Sequence, residues 1–163
     1  MNKSIYALSA LAMSIAPTLA LAGPGGTTCA TAEAIISNAT YVGDTSGAGY
    51  GNPIGGFGPL PSPSNDAIYT YTPPIATGSF TVTAANYNYG IFLTTNCAGT
   101  TAPPLQAATG PAVGGTFPVD TLTAGQQYFV IMSGNPSDSS APNGSFTFQP
   151  PIVPVELQSF SID

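Results

Sequence analysis

The sequence predicts an all-β protein, a jelly-roll-like antiparallel β-sandwich with one disulfide and long loops rich in Gly and Pro. Residues 67–72, 79–83 and 89–94 are short runs rich in Tyr, Phe, Val, Ile and Thr, with turn residues between them. The chain also has 19 Gly and 17 Pro but 10% aromatic residues. Disordered chains lack such aromatic and β-branched residues, so we expect a loop-rich folded domain.

The first residues have the features of a secretory signal peptide. Lys3 gives a positive start, residues 5–15 are mostly apolar, and a motif of small residues ends at Ala22. The alternative is a membrane anchor, but the apolar run is too short to span a bilayer and Pro17 interrupts it. We therefore predict an exported protein that is cleaved after Ala22 and acts outside the cell or at its surface.

The predicted mature chain is a single domain with a short tail. Residues 1–22 are the signal peptide, residues 23–150 the β-sandwich, and residues 151–163 a C-terminal strand or tail. About 140 residues are enough to bury one substantial core. Around the three central runs we expect a helical turn at 31–36, loops at 43–64, 98–115 and 134–143, and strands at 36–42, 116–122, 127–133 and 144–149. Among these predicted strands, the one with Pro118 should lie at an edge, and the strand at 127–133 should be the most buried.

The charge balance excludes several classes of partner. Lys3 is the only basic residue in the chain, and there is no His, whereas Asp and Glu together number seven. A mature chain without side-chain cations cannot replace the counterions of a phosphate backbone, which excludes nucleic acid. Binding to anionic lipid is disfavoured for the same reason, and no membrane insertion is expected after cleavage.

The two cysteines, Cys29 and Cys97, are expected to form one disulfide in an exported chain. Free thiols or a metal-binding pair are the alternatives, although two thiolates without His or a second Cys pair do not complete a tetrahedral zinc site. On the chain-entropy model, a bridge closing this loop stabilises the fold by about 4 kcal/mol.

Catalysis is not predicted. A nucleophile needs a base to take its proton, and the mature chain has neither His nor Lys. The carboxylates are scattered singly along the chain, so paired-carboxylate hydrolysis is not indicated either. We expect a protein that is not an enzyme.

A calcium ion is the one cofactor that the residues allow. Asp44, Asp66 and Asp138 lie in or beside loops rich in Gly and Asn, and calcium takes carboxylate and carbonyl oxygens. The competing interpretation is that Asp66 caps a turn before a strand by accepting backbone N–H groups.

Four aromatic residues in or beside loops are candidates for a sugar-binding platform: Tyr50, Phe57, Tyr87 and Tyr89. The competing interpretation is that these rings cover the core or the disulfide.

The order of short motifs resembles a known family. The motifs are Cys29-x-x-Ala32-Glu33, Asp66-x-x-Tyr69-x-Tyr71-Thr72-Pro73, Gly78-x-Phe80-Thr81-Val82, Ile91-x-Leu93 before Cys97, Leu122-Thr123-Ala124-Gly125-Gln126-x-Tyr128-Phe129-Val130 and Gly144-Ser145-Phe146-Thr147. Over residues 28–149 this resembles the bacterial pre-peptidase C-terminal (PPC) domain. The resemblance implies a secreted, jelly-roll-like sandwich. The family's third central strand often begins with Asp, where this chain has Tyr89, and this departure weakens any transfer of a calcium site.

Two functions from different classes are compatible with these features. The first is a non-catalytic module that binds an extracellular polymer, either polysaccharide or protein, or a cell surface. The second is a self-assembling structural subunit of a matrix, surface layer or fibre. Val155 and Leu157 share one face of an extended segment that follows three prolines. We expect that segment to add an edge strand to its own sandwich or to a neighbouring copy.

Overall fold

The computed structural model describes residues 20–47, 49–51, 64–76, 78–97, 106–111, 114–119, 122–135 and 142–153. Its strands are β1 (Ala20–Ala22), β2 (Glu33–Ile35), β3 (Thr40–Asp44), β4 (Ala67–Tyr71), β5 (Gly78–Ala85), β6 (Tyr89–Thr94), β7 (Gln106–Gly110), β8 (Gly115–Val119), β9 (Tyr128–Gly134) and β10 (Ser145–Gln149). A 3-10 helix spans Cys29–Thr31. The all-β prediction is confirmed.

The strands form two five-stranded sheets. The first sheet has the order β1-β3-β10-β5-β8, and the second has the order β2-β4-β9-β6-β7. All pairings are antiparallel except two at matching edges, where β1 runs parallel to β3 and β2 runs parallel to β4. The predicted antiparallel β-sandwich is therefore confirmed, with two parallel pairs at one side.

Aromatic rings from both sheets fill the space between them. Tyr69 of the second sheet packs against Phe148 of the first, with ring centroids 5.1 Å apart, and Tyr71 packs on Phe80 at 5.4 Å. These rings come from strands with alternating or continuous apolar residues, which direct them inward. As predicted, Phe80, Val82, Phe146 and Phe148 are buried, and β9 is buried along nearly its whole length.

The expected central meander is wrong in its pairing. The strand at 79–83 lies in the first sheet, whereas its neighbours along the chain, β4 and β6, lie in the second. Both β4 and β6 pair with β9 instead. Each run has an apolar face that can line either side of the sandwich, so the local pattern predicts the strands but not their partners.

The segment before β3 also differs from expectation. The predicted helical turn at 31–36 is the strand β2, and the predicted strand at 36–42 begins only at Thr40. Between them the chain turns at Asn38, which has φ 63°, a left-handed conformation that Asn tolerates better than most residues. This turn moves the chain from the second sheet to the first within four residues.

The predicted loops contain one further strand. β7 lies within the expected loop at 98–115 and forms the edge of the second sheet, paired with β6. At the opposite end of the other sheet, β8 is an edge strand with Pro118 exposed, as predicted. Most of the Gly/Pro-rich loop, at 52–63, lies outside the described residues, as do residues 1–19 of the predicted signal peptide and the segment 154–163.

The disulfide prediction is confirmed. Cys29 and Cys97 are bonded, with a sequence separation of 68 residues. Around the bridge, Ile68, Phe92 and Ile131 form a second buried cluster on the outer side of the second sheet, packed against Ala32 and Phe129. The short segment before β2 also pairs with β4 through Gly26 and Ile68. The bridged segment therefore covers an apolar sheet face that would otherwise meet water.

Candidate functional site

The outer face of the first sheet carries a shallow depression of about 240 Å³. It lies where β3, β10 and the end of β5 meet. Its lining is apolar in part and polar in part: Val42, Ala84, Ala85 and Phe146 on one hand, Asn86, Ser145 and Thr147 on the other. We call this feature the outer-face depression. Apolar groups with a few polar groups beside them are the usual lining of a ligand site.

A β-bulge produces the depression. β10 pairs Phe148 with Val82 but Thr147 with Ala84, so Thr83 is an extra residue in β5. Thr83 and Ala84 are consequently both exposed, and strict alternation ends there. Because the side chain of Ala84 is only a methyl group, the surface of the sheet is recessed here relative to the longer side chains around it. Bulges of this kind are frequent beside binding sites, where they redirect side chains.

Hydroxyl and amide groups surround the depression on the same face. The Thr81 and Thr116 hydroxyls are 3.3 Å apart across neighbouring strands, and the Gln149 Nε2 donates to the Thr40 Oγ1 at 2.8 Å. The Thr83 hydroxyl donates to the Thr147 carbonyl at 3.3 Å. These groups have hydrogen-bonding capacity left for a ligand, since each hydroxyl can both donate and accept.

The face is almost free of charge. Asp44, at the end of β3, is its one carboxylate among the described residues, and this side chain accepts from the backbone N–H and the hydroxyl of Ser46. Asp44 thus stabilises the turn after β3. Apart from this carboxylate, the described residues of the face carry no charge that would select a charged ligand.

Two of the four predicted platform aromatics are core residues. Tyr87 is 6% exposed and Tyr89 is fully buried, where it packs against Phe117. Burial raises the pKa of both phenols. Their rings line the space between the sheets, because outward and inward positions alternate along β6 and its lead-in. They are therefore not available as a surface platform.

The other two platform candidates have different outcomes. Tyr50 is partly buried against the main core, and its hydroxyl donates to the carbonyl oxygens of Pro24 and Gly25. Its phenol pKa is raised, first by burial and then by the negative charge of Glu33. Phe57 lies outside the described residues. Tyr50 therefore ties the start of the fold to the loop after β3.

The predicted calcium ligands are only partly placed. Asp66 is 1% exposed, immediately before β4, and Asp44 makes the turn contacts given above. Asp138 lies outside the described residues. Within the described part of the chain, no three Asp, Glu, His or Cys side chains are grouped as a metal site would require. The described carboxylates alone do not supply the six to eight oxygens that calcium takes, so calcium binding stays a prediction.

The outer-face depression was not predicted from the sequence, although one signal was available. After Phe80 and Val82 the pattern of β5 continues as Thr83, Ala84 and Ala85, which breaks the alternation and removes side-chain bulk. A break of this kind is typical of a bulge. Its position opposite Thr147 depends on strand pairing and could not be derived.

Among the described residues, the structure contains no helix with the length and apolar character of a membrane span.

Comparison with other proteins assigns the chain to no family. No protein-family model matches the sequence, and a search of curated proteins finds no match. The similarity to the PPC domain therefore stays a prediction that rests on the motifs quoted above.

Proposed function

We propose that this protein is a secreted, non-catalytic β-sandwich module that binds an uncharged extracellular polysaccharide at the outer-face depression. The observation that carries the proposal is the depression itself, with exposed Val42 and Ala84 on its surface and Asn86, Ser145 and Thr147 among its polar lining. Sugar rings present apolar C–H faces and hydroxyl edges, and this lining offers both kinds of contact.

The charge of the chain supports a neutral ligand. With one Lys and seven acidic residues, the protein carries a formal charge of −6 and would repel polyanions. The depression itself has no charged residue in its lining. A neutral polysaccharide is therefore favoured over acidic glycans, nucleic acid and anionic lipid.

The non-catalytic part of the proposal follows from the residue set. The chain contains no His, and its one Lys lies in the predicted signal peptide. A binding role needs no proton-transfer group, whereas nucleophilic catalysis does. The disulfide is compatible with an oxidising compartment, which agrees with the proposed export.

A binding array of glycans and extracellular proteins tests this function. The probe is a chain of residues 23–163, and the site variant is Ala84→Glu, which fills the depression and adds a charge. Ala34→Glu is the matched control, because Ala34 is an exposed alanine on β2 of the second sheet, away from the depression. We expect capture of a neutral glycan that Ala84→Glu abolishes and Ala34→Glu preserves. Capture of proteins alone, or binding indifferent to Ala84→Glu, would contradict the proposal.

A structural subunit is the second candidate, and the parallel edges of the sandwich favour it. β1 and β2 are short edge strands of three residues each, and each pairs with three of the five residues of its neighbour, β3 or β4. Incompletely covered edges are templates for strand addition between copies. Electron microscopy of the mature protein separates the two functions: ordered filaments or sheets support the subunit, and dispersed particles support the binding module.

A further inference from the structure

The residue after the predicted cleavage position is enclosed by groups from both sheets. Gly23 is buried, and a side chain does not fit there, because a Cβ would lie 2.7 Å from the Glu33 Oε1 and 2.8 Å from the Tyr41 Cδ1. The Gly23 N–H donates to the Val42 carbonyl at 3.3 Å. Its nitrogen therefore lies close to a carboxylate and to a carbonyl acceptor.

The Glu33 carboxylate is near enough to act on a charge at the Gly23 nitrogen. The nitrogen and the Cβ position are bonded to the same Cα, which places them about 2.5 Å apart. The nitrogen is consequently at most about 5 Å from the Glu33 Oε1. Opposite charges within about 4–6 Å favour each other's ionised form.

The chain from Gly23 onward is held by contacts that do not involve the signal peptide. The Tyr69 hydroxyl donates to the Gly23 carbonyl at 2.8 Å, and the Gly25 N–H donates to the Glu33 Oε2 at 3.1 Å. The first contact fixes Gly23, and the second fixes the carboxylate. Removal of residues 20–22 therefore leaves Gly23 and Glu33 beside each other.

Cleavage after Ala22 would create a charge at this position. Hydrolysis of the Ala22–Gly23 peptide bond consumes one water, leaves a carboxylate on the departing signal peptide and gives a protonated amine on Gly23. Lys3, the only basic residue of the chain, leaves with the signal peptide. An α-amino group has an ordinary pKa of about 8 and is mostly protonated at neutral pH. Any ion pair within the mature chain must therefore use this group.

We propose that processing creates an ion pair between the α-ammonium group of Gly23 and the carboxylate of Glu33. The ammonium group keeps the Val42 carbonyl as one acceptor and gains the Glu33 Oε1 as another. The proposal rests on the predicted cleavage position and is independent of polysaccharide binding. The step that releases the signal peptide thus also fixes the first residue of the sandwich.

The phenols around Gly23 carry no charge at neutral pH. Tyr41 and Tyr69 lie beside Gly23, and the Tyr50 hydroxyl donates to the Pro24 carbonyl. A phenol ionises near pH 10, and burial raises the pKa of Tyr50 and Tyr69 further. Below about pH 9 these side chains act on the α-amino group only as neutral neighbours.

Asp44 is a second carboxylate near this corner of the sandwich and provides a matched control. Burial, and then the charges of Glu33 and Asp44, raise the pKa of Tyr50, which contacts the residue after Gly23. The Asp44 side chain accepts from the backbone N–H and the hydroxyl of Ser46. Glu33→Gln and Asp44→Asn each remove one negative charge and keep an oxygen that accepts a hydrogen bond.

Amine labelling tests the proposal, because a chain of residues 23–163, released from a fusion so that it begins at Gly23, has a single amine. The pH dependence of acylation gives the pKa of that group. We expect a pKa about one unit above the ordinary value, and hence about tenfold slower acylation at pH 7 than in Glu33→Gln. Asp44→Asn should match the wild type. In a chain of residues 20–163 the amine lies about 10 Å further along the strand, so Glu33→Gln should not change its pKa.

Three results would overturn the inference. The first is an exported protein whose N-terminal sequence begins at a residue other than Gly23, which would refute the cleavage position and leave the glycan-binding result unaffected. The second is an α-amino pKa at or below its ordinary value, since burial without a partner lowers the pKa of an amine. The third is an equal pKa shift in Glu33→Gln and Asp44→Asn, which would assign the effect to the overall negative charge.

Discussion

The two outer faces of this sandwich differ in what covers them. The second sheet has Ile68, Phe92 and Ile131 on its outer side, and the disulfide-bonded segment around Cys29 seals them from water. The first sheet has an outer side mostly of Thr, Ser, Gln and Ala residues, with Val42 and Asp44 among them, which stays exposed. One face is part of the core, and the other is a surface that can meet a ligand.

The difference follows from the residue composition of the middle strand of each sheet. The middle strand of the second sheet, β9, has apolar residues on both sides, which requires cover on both sides. The middle strand of the first sheet, β10, alternates Phe with Ser, Thr and Gln, so its outer side is compatible with water. A disulfide is useful only on the outer face of the second sheet. The segment that covers this face is short, so its contact area alone contributes little to holding it in place.

The largest expected effect on the free energy of unfolding comes from breaking the disulfide of the segment that covers the second sheet. Replacing Cys29 and Cys97 by Ser should lower the free energy of unfolding by about 4 kcal/mol, because the bridge closes a loop of 68 residues. Denaturant titration measures it, with binding of a hydrophobic dye reporting exposure of Ile68 and Ile131. A change below about 1 kcal/mol without dye binding would show that the segment covers the second sheet unaided.

A smaller effect on stability, per pH unit, comes from the buried tyrosines of the core. Burial, followed by the charge of Glu33, holds the pKa of Tyr69 above its ordinary value of 10, and burial likewise raises that of Tyr87. Below pH 10 both states keep their protons and stability is constant. Above it the unfolded chain ionises while the native state does not, so stability falls by about 1.4 kcal/mol per pH unit for each tyrosine.

Denaturant midpoints between pH 8 and 12 measure this slope, and Tyr69→Phe should reduce it by one tyrosine. The exposed-face variant Thr147→Ser serves as the control, because it removes no titrating group. A Tyr69→Phe slope equal to that of the wild type would show that Tyr69 ionises normally in the fold.

Deleting one methyl group from each outer face compares the faces directly. Ile131→Val, in the middle strand of the second sheet, should cost about 1 kcal/mol, because it leaves a small cavity under the disulfide segment. Thr147→Ser, in the middle strand of the first sheet, should change stability by less than about 0.5 kcal/mol. Equal costs in urea unfolding would mean that the outer side of the first sheet is covered as well.

The smallest expected effect concerns calcium, near the end of the sandwich where Asp66 precedes β4 and Asp44 ends β3. An ion present near its dissociation constant contributes about 0.4 kcal/mol, so a chelator should lower the melting temperature slightly. Asp66→Asn should remove that difference. A melting temperature indifferent to chelation in the wild type would leave Asp66 as a buried turn-capping residue.

Local sequence was sufficient for the strands whose residues alternate or are uniformly apolar. Phe80 with Val82, and Phe146 with Phe148, point inward because side chains alternate along a strand whichever partner it has. The pairing of Cys29 with Cys97 was equally predictable, since a chain with two cysteines has one possible bridge. The inward faces depend on alternation within a few residues, and the disulfide depends on there being one possible pairing of two cysteines.

The sequence by itself therefore determined the all-β class, the inward faces of the strands, the disulfide and the shortage of basic residues. Tertiary structure decided which sheet each strand joins, that Tyr87 and Tyr89 are core residues, and where the depression lies. The physical reason is that an apolar strand face gains the same burial from either side of a sandwich. Only the packing of all strands together selects one partner for each strand. That pairing also places Thr147 beside the bulge at Thr83.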